Sequence, residues 1–107
     1  MYKLLTINNE DYKLKLNTQN IIDAEEKIGM NLILIFGVDG RRLPTTKEMM
    51  TIFFHSLQAY QHGIKYSDAC SLFDSWIEEG HTTSEFIPIL FEIFRESGII
   101  KNKESKN

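Results

Sequence analysis

The last helix of this chain is more apolar than a single contact face requires. Between Phe86 and Phe94 the pattern predicts a helix whose apolar side chains occupy an arc of about 200° at roughly 100° per residue. A surface helix that packs one face on its own core needs an arc of only about 100–120°. The apolar residues are Phe86, Ile87, Ile89, Leu90, Phe91, Ile93 and Phe94. The surplus predicts a second contact, made with another part of this chain or with another protein.

The chain before this helix predicts an α+β fold that is mainly α-helical. Two segments rich in aromatic and branched residues, 2–7 and 12–16, are separated by Asn8–Asp11, and Asn and Asp favour turns. In the second segment apolar residues alternate with lysines, as in a half-buried strand. We therefore expect an N-terminal β-hairpin, followed by four to five helices packed around one core.

The region after the hairpin predicts one clear helix and one ambiguous segment. Thr18 can cap a helix that stops at Gly29. The segment 31–36 (NLILIF) contains five consecutive apolar residues, which fit either a buried strand or a short buried helix. A short helix capped by Asn31 is the favoured interpretation. The glycine-containing segment 37–43 is predicted to be a mobile loop.

Three helices are predicted in the second half of the chain, over about 45–62, 67–79 and 84–97. Thr45 and Glu48 stand at capping-box spacing and begin the first of them. Its predicted core face consists of Met49, Met50, Phe53, Leu57 and Tyr60. The next helix matches the amphipathic template, with apolar residues at i, i+3, i+4, i+7 and i+8. The residues expected at the centre of the core are Phe53, Leu57, Phe73, Trp76 and Leu90.

Length and composition predict one domain without a nucleic-acid or membrane partner. We expect 107 residues to form a globular domain over 1–100 and a disordered tail over 101–107, because KNKESKN has no apolar anchor. A formal charge of −3 and scattered basic residues disfavour nucleic acid. The strand-like start is not that of a signal peptide, and no apolar run approaches the roughly 18 residues of a membrane span. A single cysteine fits a reducing cytoplasm.

No residue pattern indicates catalysis, a metal ion or a cofactor. His55 and His62 would lie about 10 Å apart along a helix, too far to share one metal ion. Cys70 has acidic neighbours, and it fits a packed small hydrophobe better than a nucleophile. A small enzyme remains an alternative only if Cys70 is exposed beside a histidine. The protein is therefore predicted to be non-enzymatic.

Three segments in this order resemble the small tail assembly chaperones of long-tailed (siphovirus-type) phages and prophages of Gram-positive bacteria. They are YKLKLNTQNIIDAEEKIGMNLILIF (12–36), LPTTKEMMTIFFHSLQAYQHGI (43–64) and SDACSLFDSWIEEGHTTSEFIPILFEIFRESG (67–98). The resemblance implies a non-enzymatic protein that binds the tape-measure protein and keeps it soluble while the tail tube assembles. It further implies a place in the cytoplasm of the bacterial host and absence from the mature virion.

An exposed apolar helix face is expected to carry this function. The residues predicted to bind a partner are Met50, Phe54, Ile87, Phe91 and Phe94. Partly exposed flanks of two helices would serve tape-measure binding, assembly into a homo-oligomer, or both, since an exposed apolar patch normally marks an interface. The same face also fits an alternative: a small regulatory or inhibitor protein that binds a single host or phage protein.

Overall fold

The computed structural model describes residues 1–101, and its chain begins with a β-hairpin. Strand β1 (Lys3–Ile7) pairs antiparallel with β2 (Glu10–Leu14). Asn8 and Asn9 form the turn with φ angles of 53° and 64°. Both values lie in the left-handed region that a two-residue type I′ hairpin turn requires and that Asn tolerates. The predicted hairpin is confirmed, with a shorter turn than expected because β2 starts directly after Asn9.

Within the described residues, four α-helices and two short 3-10 helices follow the hairpin. They are α1 (Thr18–Ile28), a 3-10 helix (Leu32–Leu34), α2 (Thr46–Leu57), α3 (Tyr66–Glu78), a second 3-10 helix (Thr83–Phe86) and α4 (Ile87–Glu96). The predicted fold class, α+β and mainly α, is confirmed. Within residues 1–101 no helix combines the length and apolarity needed to cross a membrane. The tail predicted to be disordered, 101–107, lies outside the described residues except for Lys101.

Helix caps agree with the predictions to within a few residues. The cap of α1 is Asn17 and not Thr18, because Asn17 and Asn20 each accept a hydrogen bond from the other's backbone N–H. The predicted capping box at Thr45 and Glu48 is confirmed. Helix α3 starts earlier than expected, because the Asp68 carboxylate accepts the N–H of Lys65 at 2.9 Å.

Helix α2 ends at Leu57, before the predicted end near His62, because Gln61 turns back to the hairpin. The Lys13 N–H donates to Gln61 Oε1 at 2.9 Å, and Gln61 Nε2 donates to the Lys13 carbonyl at 3.0 Å. The Gln61 amide thus supplies β2 with the hydrogen bonds of a neighbouring strand. Tyr60, predicted on the core face, is instead exposed, and its ring meets that of Tyr2 at 5.3 Å.

Four aromatic rings form the centre of the core. Phe86 lies in contact with three of them, at centroid distances of 5.3 Å to Phe53, 5.3 Å to Phe73 and 5.5 Å to Trp76. All three pairs meet edge to face, an arrangement that aromatic quadrupoles favour. The predicted core residues Phe53, Leu57, Phe73, Trp76 and Leu90 are all buried, so that prediction is confirmed.

Helix α4 has its second contact within this chain. The ring of Phe36 stacks on Phe91 at 4.1 Å and meets Phe94 edge-on at 5.9 Å. Strand β1 also contacts α4, and Ile99 and Ile100 fold back onto the core. The wide apolar arc is thus explained by neighbours on more than one side of the helix.

The ambiguous segment 31–36 contains the 3-10 helix Leu32–Leu34 and a turn at 35–36, with apolar residues on both sides. Its first N–H, at Leu32, donates to the Glu25 carboxylate at 3.0 Å, whereas Asn31 makes no side-chain capping bond. Residues on the inner side are buried, namely Leu32, Ile35 and Phe36. Residues on the outer side are exposed, namely Ile33 and Leu34. The predicted short helix is present with Asn31 at its N-cap position, but the Asn31 side chain makes no capping bond and the helix is only partly buried.

Arg42 joins the end of the loop over 37–43 to α2. Its guanidinium donates two hydrogen bonds to the Glu48 carboxylate, at 2.8 and 2.7 Å, and a third to the Ile35 carbonyl at 2.8 Å. Gly37 has a positive φ of 85°, which favours glycine. Any other residue there would also place its Cβ only 3.0 Å from the Arg42 Cβ, so Gly37 allows Arg42 to pack closely. The loop predicted to be mobile is therefore anchored at this end, which holds Phe36 against α4.

Candidate functional site

Two of the five predicted partner-binding residues are buried. Met50 is only 4% exposed and Phe94 is fully covered. Met50 lies on α2, which contacts α1, α3, α4 and β2 and so has neighbours on several sides. Phe94 is covered by Phe36 and the rest of the core. Their predicted exposure is wrong, because a helix at the centre of the fold buries more than one face.

The other three predicted residues are half-buried and lie in different surroundings. The Phe91 ring is stacked on Phe36, with the Arg95 guanidinium 5.8 Å from its centroid. Ile87 packs against the edge of the core. Phe54 instead meets the rings of His55 at 4.9 Å and Tyr66 at 5.9 Å. In residues 1–101 the rings that neighbour Phe54 and Phe91 therefore belong to different parts of the fold.

Phe54 lines a pocket of about 490 Å³ that we call the basic pocket. Four of its lining residues follow one stripe of α2 at i, i+4, i+7 and i+8, and the others come from the end of α1 and the start of α3. The lining residues are Lys27, Lys47, Thr51, Phe54, His55 and Tyr66. Sequence periodicity identified Phe54, but it could not reveal that three helices meet there.

Two polar groups in the wall of the basic pocket, those of Thr51 and His55, already have partners in the backbone. The Thr51 hydroxyl donates to the Lys47 carbonyl at 2.8 Å, and His55 Nδ1 donates to the Thr51 carbonyl at 2.8 Å. Desolvation and the nearby Cys70 thiol raise the pKa of Tyr66 above its usual range. Because these two hydrogen-bonding groups are occupied, Thr51 and His55 present mostly apolar surface to the pocket.

The basic pocket carries local positive charge in a chain whose net charge is −3. Two of its six lining residues are lysines, and none of the six is a carboxylate. Within the described part of the chain, neither Lys27 nor Lys47 has a carboxylate oxygen within 4.0 Å. Asp23, four residues before Lys27 on α1, accepts a hydrogen bond from Gln19 at 2.9 Å. Both lysines are thus available to an anion.

A second surface lies on the outer side of α1, and we call it the apolar ledge: Ile22, Met30, Ile33 and Leu34. Ile22 is 43% exposed, Ile33 61% and Leu34 39%. Ile22, Met30 and Leu34 line one open depression, together with Glu25 and Glu26. Sequence analysis missed this surface, although a signal was present. A 3-10 helix places i and i+3 on one side, so five consecutive apolar residues cannot all face inward.

No catalytic arrangement is found in residues 1–101. Cys70 is half-buried and makes no hydrogen bond to a histidine there. His81 stacks on the Trp76 ring at 4.2 Å and lies 3.6 Å from Glu85, which indicates a packing role. The same range contains no group of three or more His, Cys, Asp or Glu residues that could hold a metal ion. The two surfaces are suited to binding.

Comparison with known families places the whole chain in one group. A family described as a family of unknown function (DUF6096) matches residues 2–107. The chain belongs to this family. No curated protein and no solved structure matches it.

In this member of DUF6096 the two surfaces lie on different sides of α1. Lys27, in the basic pocket, and Ile22, on the apolar ledge, are five residues apart and hence about 140° apart around the helix. One surface is concave and bordered by lysines, whereas the other is an open apolar strip bordered by glutamates. Each surface therefore suits a different ligand.

Proposed function

We propose that this protein is a phage tail assembly chaperone that binds the tape-measure protein and keeps it soluble while the tail tube assembles. It would act in the cytoplasm of the bacterial host. The resemblance of segments 12–36, 43–64 and 67–98 to such chaperones supports this proposal. The structural observation that carries it is the apolar ledge, because exposed apolar side chains gathered at one place normally mark an interface.

The apolar ledge fits an amphipathic helix of the partner. A helix lying on it would place apolar residues at i, i+3 or i+4 and i+7 against Ile22, Leu34 and Met30. Met30 adds an unbranched, adaptable side chain, which suits a partner that presents many different apolar segments. Glu25 and Glu26 border the depression and favour helices with lysine or arginine beside the apolar face.

Weak contacts of this kind suffice for a long partner. A tape-measure protein offers many helical segments along one chain, so several chaperone molecules can bind and cover it together. The expected complex therefore contains several copies of this protein for each tape-measure chain. A regulator or inhibitor of a single protein would instead form a complex of fixed, low stoichiometry. Sizing with light scattering separates these two functions.

Co-expression with the tape-measure protein of the same phage or prophage tests the proposal. We expect the tape-measure protein to be soluble with the wild-type chain and insoluble with Leu34→Asp, because a charge on the apolar ledge disfavours association. Val38→Asp is the matched control, since Val38 is 94% exposed and lies outside the ledge. A tape-measure protein that stays insoluble with the wild-type chain contradicts the function. One that is equally soluble with both variants contradicts the ledge as its binding surface.

A further inference from the structure

The basic pocket has the size and lining of a small-molecule site. Ligand pockets commonly measure about 300–1,000 Å³ and combine apolar walls with a few polar groups. The pocket of about 490 Å³ falls in this range. Three of its six lining residues carry aromatic or imidazole rings, and Thr51 contributes its methyl group because its hydroxyl is bonded to the backbone.

We propose that the basic pocket binds a small aromatic carboxylate. The ring of the ligand would pack against Phe54 and Tyr66, and its carboxylate would lie between Lys27 and Lys47. The edge-to-face arrangement of Phe54 with its two ring neighbours leaves aromatic surface that a further ring can contact. The Tyr66 phenol, neutral at pH 7 like any tyrosine, would donate a hydrogen bond without repelling the anion.

The charge of the pocket matches a carboxylate better than a phosphate. Phosphate is commonly recognised by an arginine fork or by free backbone amides at a helix N-terminus. None of the six lining residues is an arginine, and the nearby Arg42 is bound to Glu48 instead. In the first turn of α2 the Glu48 N–H already donates to Thr45 Oγ1 at 3.1 Å. What the pocket offers is two lysine ammonium groups, which suit a singly charged anion beside an apolar body.

This inference is independent of the proposed function, because the pocket and the apolar ledge occupy different sides of α1. Ledge variants should therefore leave the pocket intact. The Leu34→Asp protein is expected to bind an aromatic carboxylate as well as the wild-type protein does. Conversely, substitution of the pocket lysines should leave the solubility of the tape-measure protein unchanged.

Calorimetric titration with 2-naphthoate tests the pocket, with uncharged 2-naphthamide as the chemical control. We expect naphthoate to bind the wild-type chain and naphthamide to bind at least fivefold more weakly. The double variant Lys27→Gln, Lys47→Gln should weaken naphthoate binding roughly five- to tenfold, because two exposed ion pairs are lost. Lys3→Gln together with Lys13→Gln, both on the β-hairpin, is the matched control. It removes the same charge outside the pocket and should change binding little.

Amide chemical shifts measured during the titration locate the bound probe. We expect the shifts to concentrate at 47–55 of α2 and around Lys27 and Tyr66. No saturable naphthoate binding up to millimolar concentration overturns the proposal. Equal binding of naphthoate and naphthamide, or equal loss in the two lysine double variants, overturns the assignment of the carboxylate to Lys27 and Lys47. Shifts confined to the apolar ledge overturn the site itself.

Discussion

Two apolar parts of this molecule have opposite surroundings. Helix α4 carries an apolar arc too wide for one contact face, yet Leu90, Ile93 and Phe94 are fully buried. The segment 31–36 is a short apolar run of the kind expected inside a protein, yet Ile33 and Leu34 are exposed. An apolar pattern thus predicts that a segment needs neighbours, but it does not predict which neighbours the fold supplies.

The difference arises from position in the fold. Helix α4 contacts Phe36 through Phe91 and Phe94, and it also contacts α2 and β1, so its wide arc meets side chains of the same chain on more than one side. The first 3-10 helix lies at the edge and packs against α1, with nothing over its outer side in residues 1–101. The exposed apolar ledge of this protein therefore lies beside α1, and not on α4, the helix with the wide apolar arc.

The largest difference between the two parts is expected in stability. Phe94→Ala should lower the free energy of unfolding by about 3–5 kcal/mol, because it leaves a cavity beneath α4. Ile33→Ala is the matched substitution on the apolar ledge, and it should change the free energy of unfolding by no more than about 0.5 kcal/mol. Urea unfolding followed by circular dichroism measures both. Similar losses for the two variants would mean that Ile33 is covered in solution, for example by a second copy of the chain.

The next effect concerns the pH dependence of the anchor that holds Phe36 over α4. The Arg42 guanidinium holds the pKa of Glu48 below its usual range. Because the folded-state pKa is the lower one, the pair stabilises the fold fully above the unfolded-state pKa of about 4.3, and this stabilisation is lost as pH falls through the folded value.

Comparison with Glu48→Gln isolates this pair. The wild-type protein should exceed the variant in free energy of unfolding by a constant amount above about pH 5, and the gap should narrow at lower pH. Urea unfolding at several pH values measures it. A gap that stays the same down to pH 3 would show that Glu48 ionisation does not contribute to anchoring the loop.

The smallest expected effect is the coupling energy between Phe36 and Phe91, the two rings that stack where α4 is covered. A double-mutant cycle with Phe36→Ala and Phe91→Ala should give a coupling of about 0.5–1.5 kcal/mol, since the two rings stack at 4.1 Å. Phe91→Ala combined with Tyr60→Ala should be additive, because the Tyr60 ring pairs with Tyr2. Additivity in the first pair would show that α4 does not depend on Phe36, and the prediction that Phe91 is free to bind a partner would regain support.

Local signals in the sequence determined much of the fold. The Asn8-Asn9 turn, the capping box at Thr45 and Glu48, and Gly29 at the end of α1 act within a few residues, so their effects can be read from spacing alone. The buried stripe of α3, with Phe73 and Trp76, follows from helical periodicity in the same way. These features can be predicted without knowing which helices and strands pack against one another.

Contacts between distant segments decided the rest. Helix α2 ends where it does because Gln61 pairs with Lys13, 48 residues away, and α4 is covered because Phe36 reaches it. Of the candidate sites, periodicity identified Phe54, whereas Lys27 and Tyr66 join it only because three helices converge. Spacing along the chain describes one element at a time. Which faces are covered, and which are left for a ligand or a partner, depends on how the elements pack against one another.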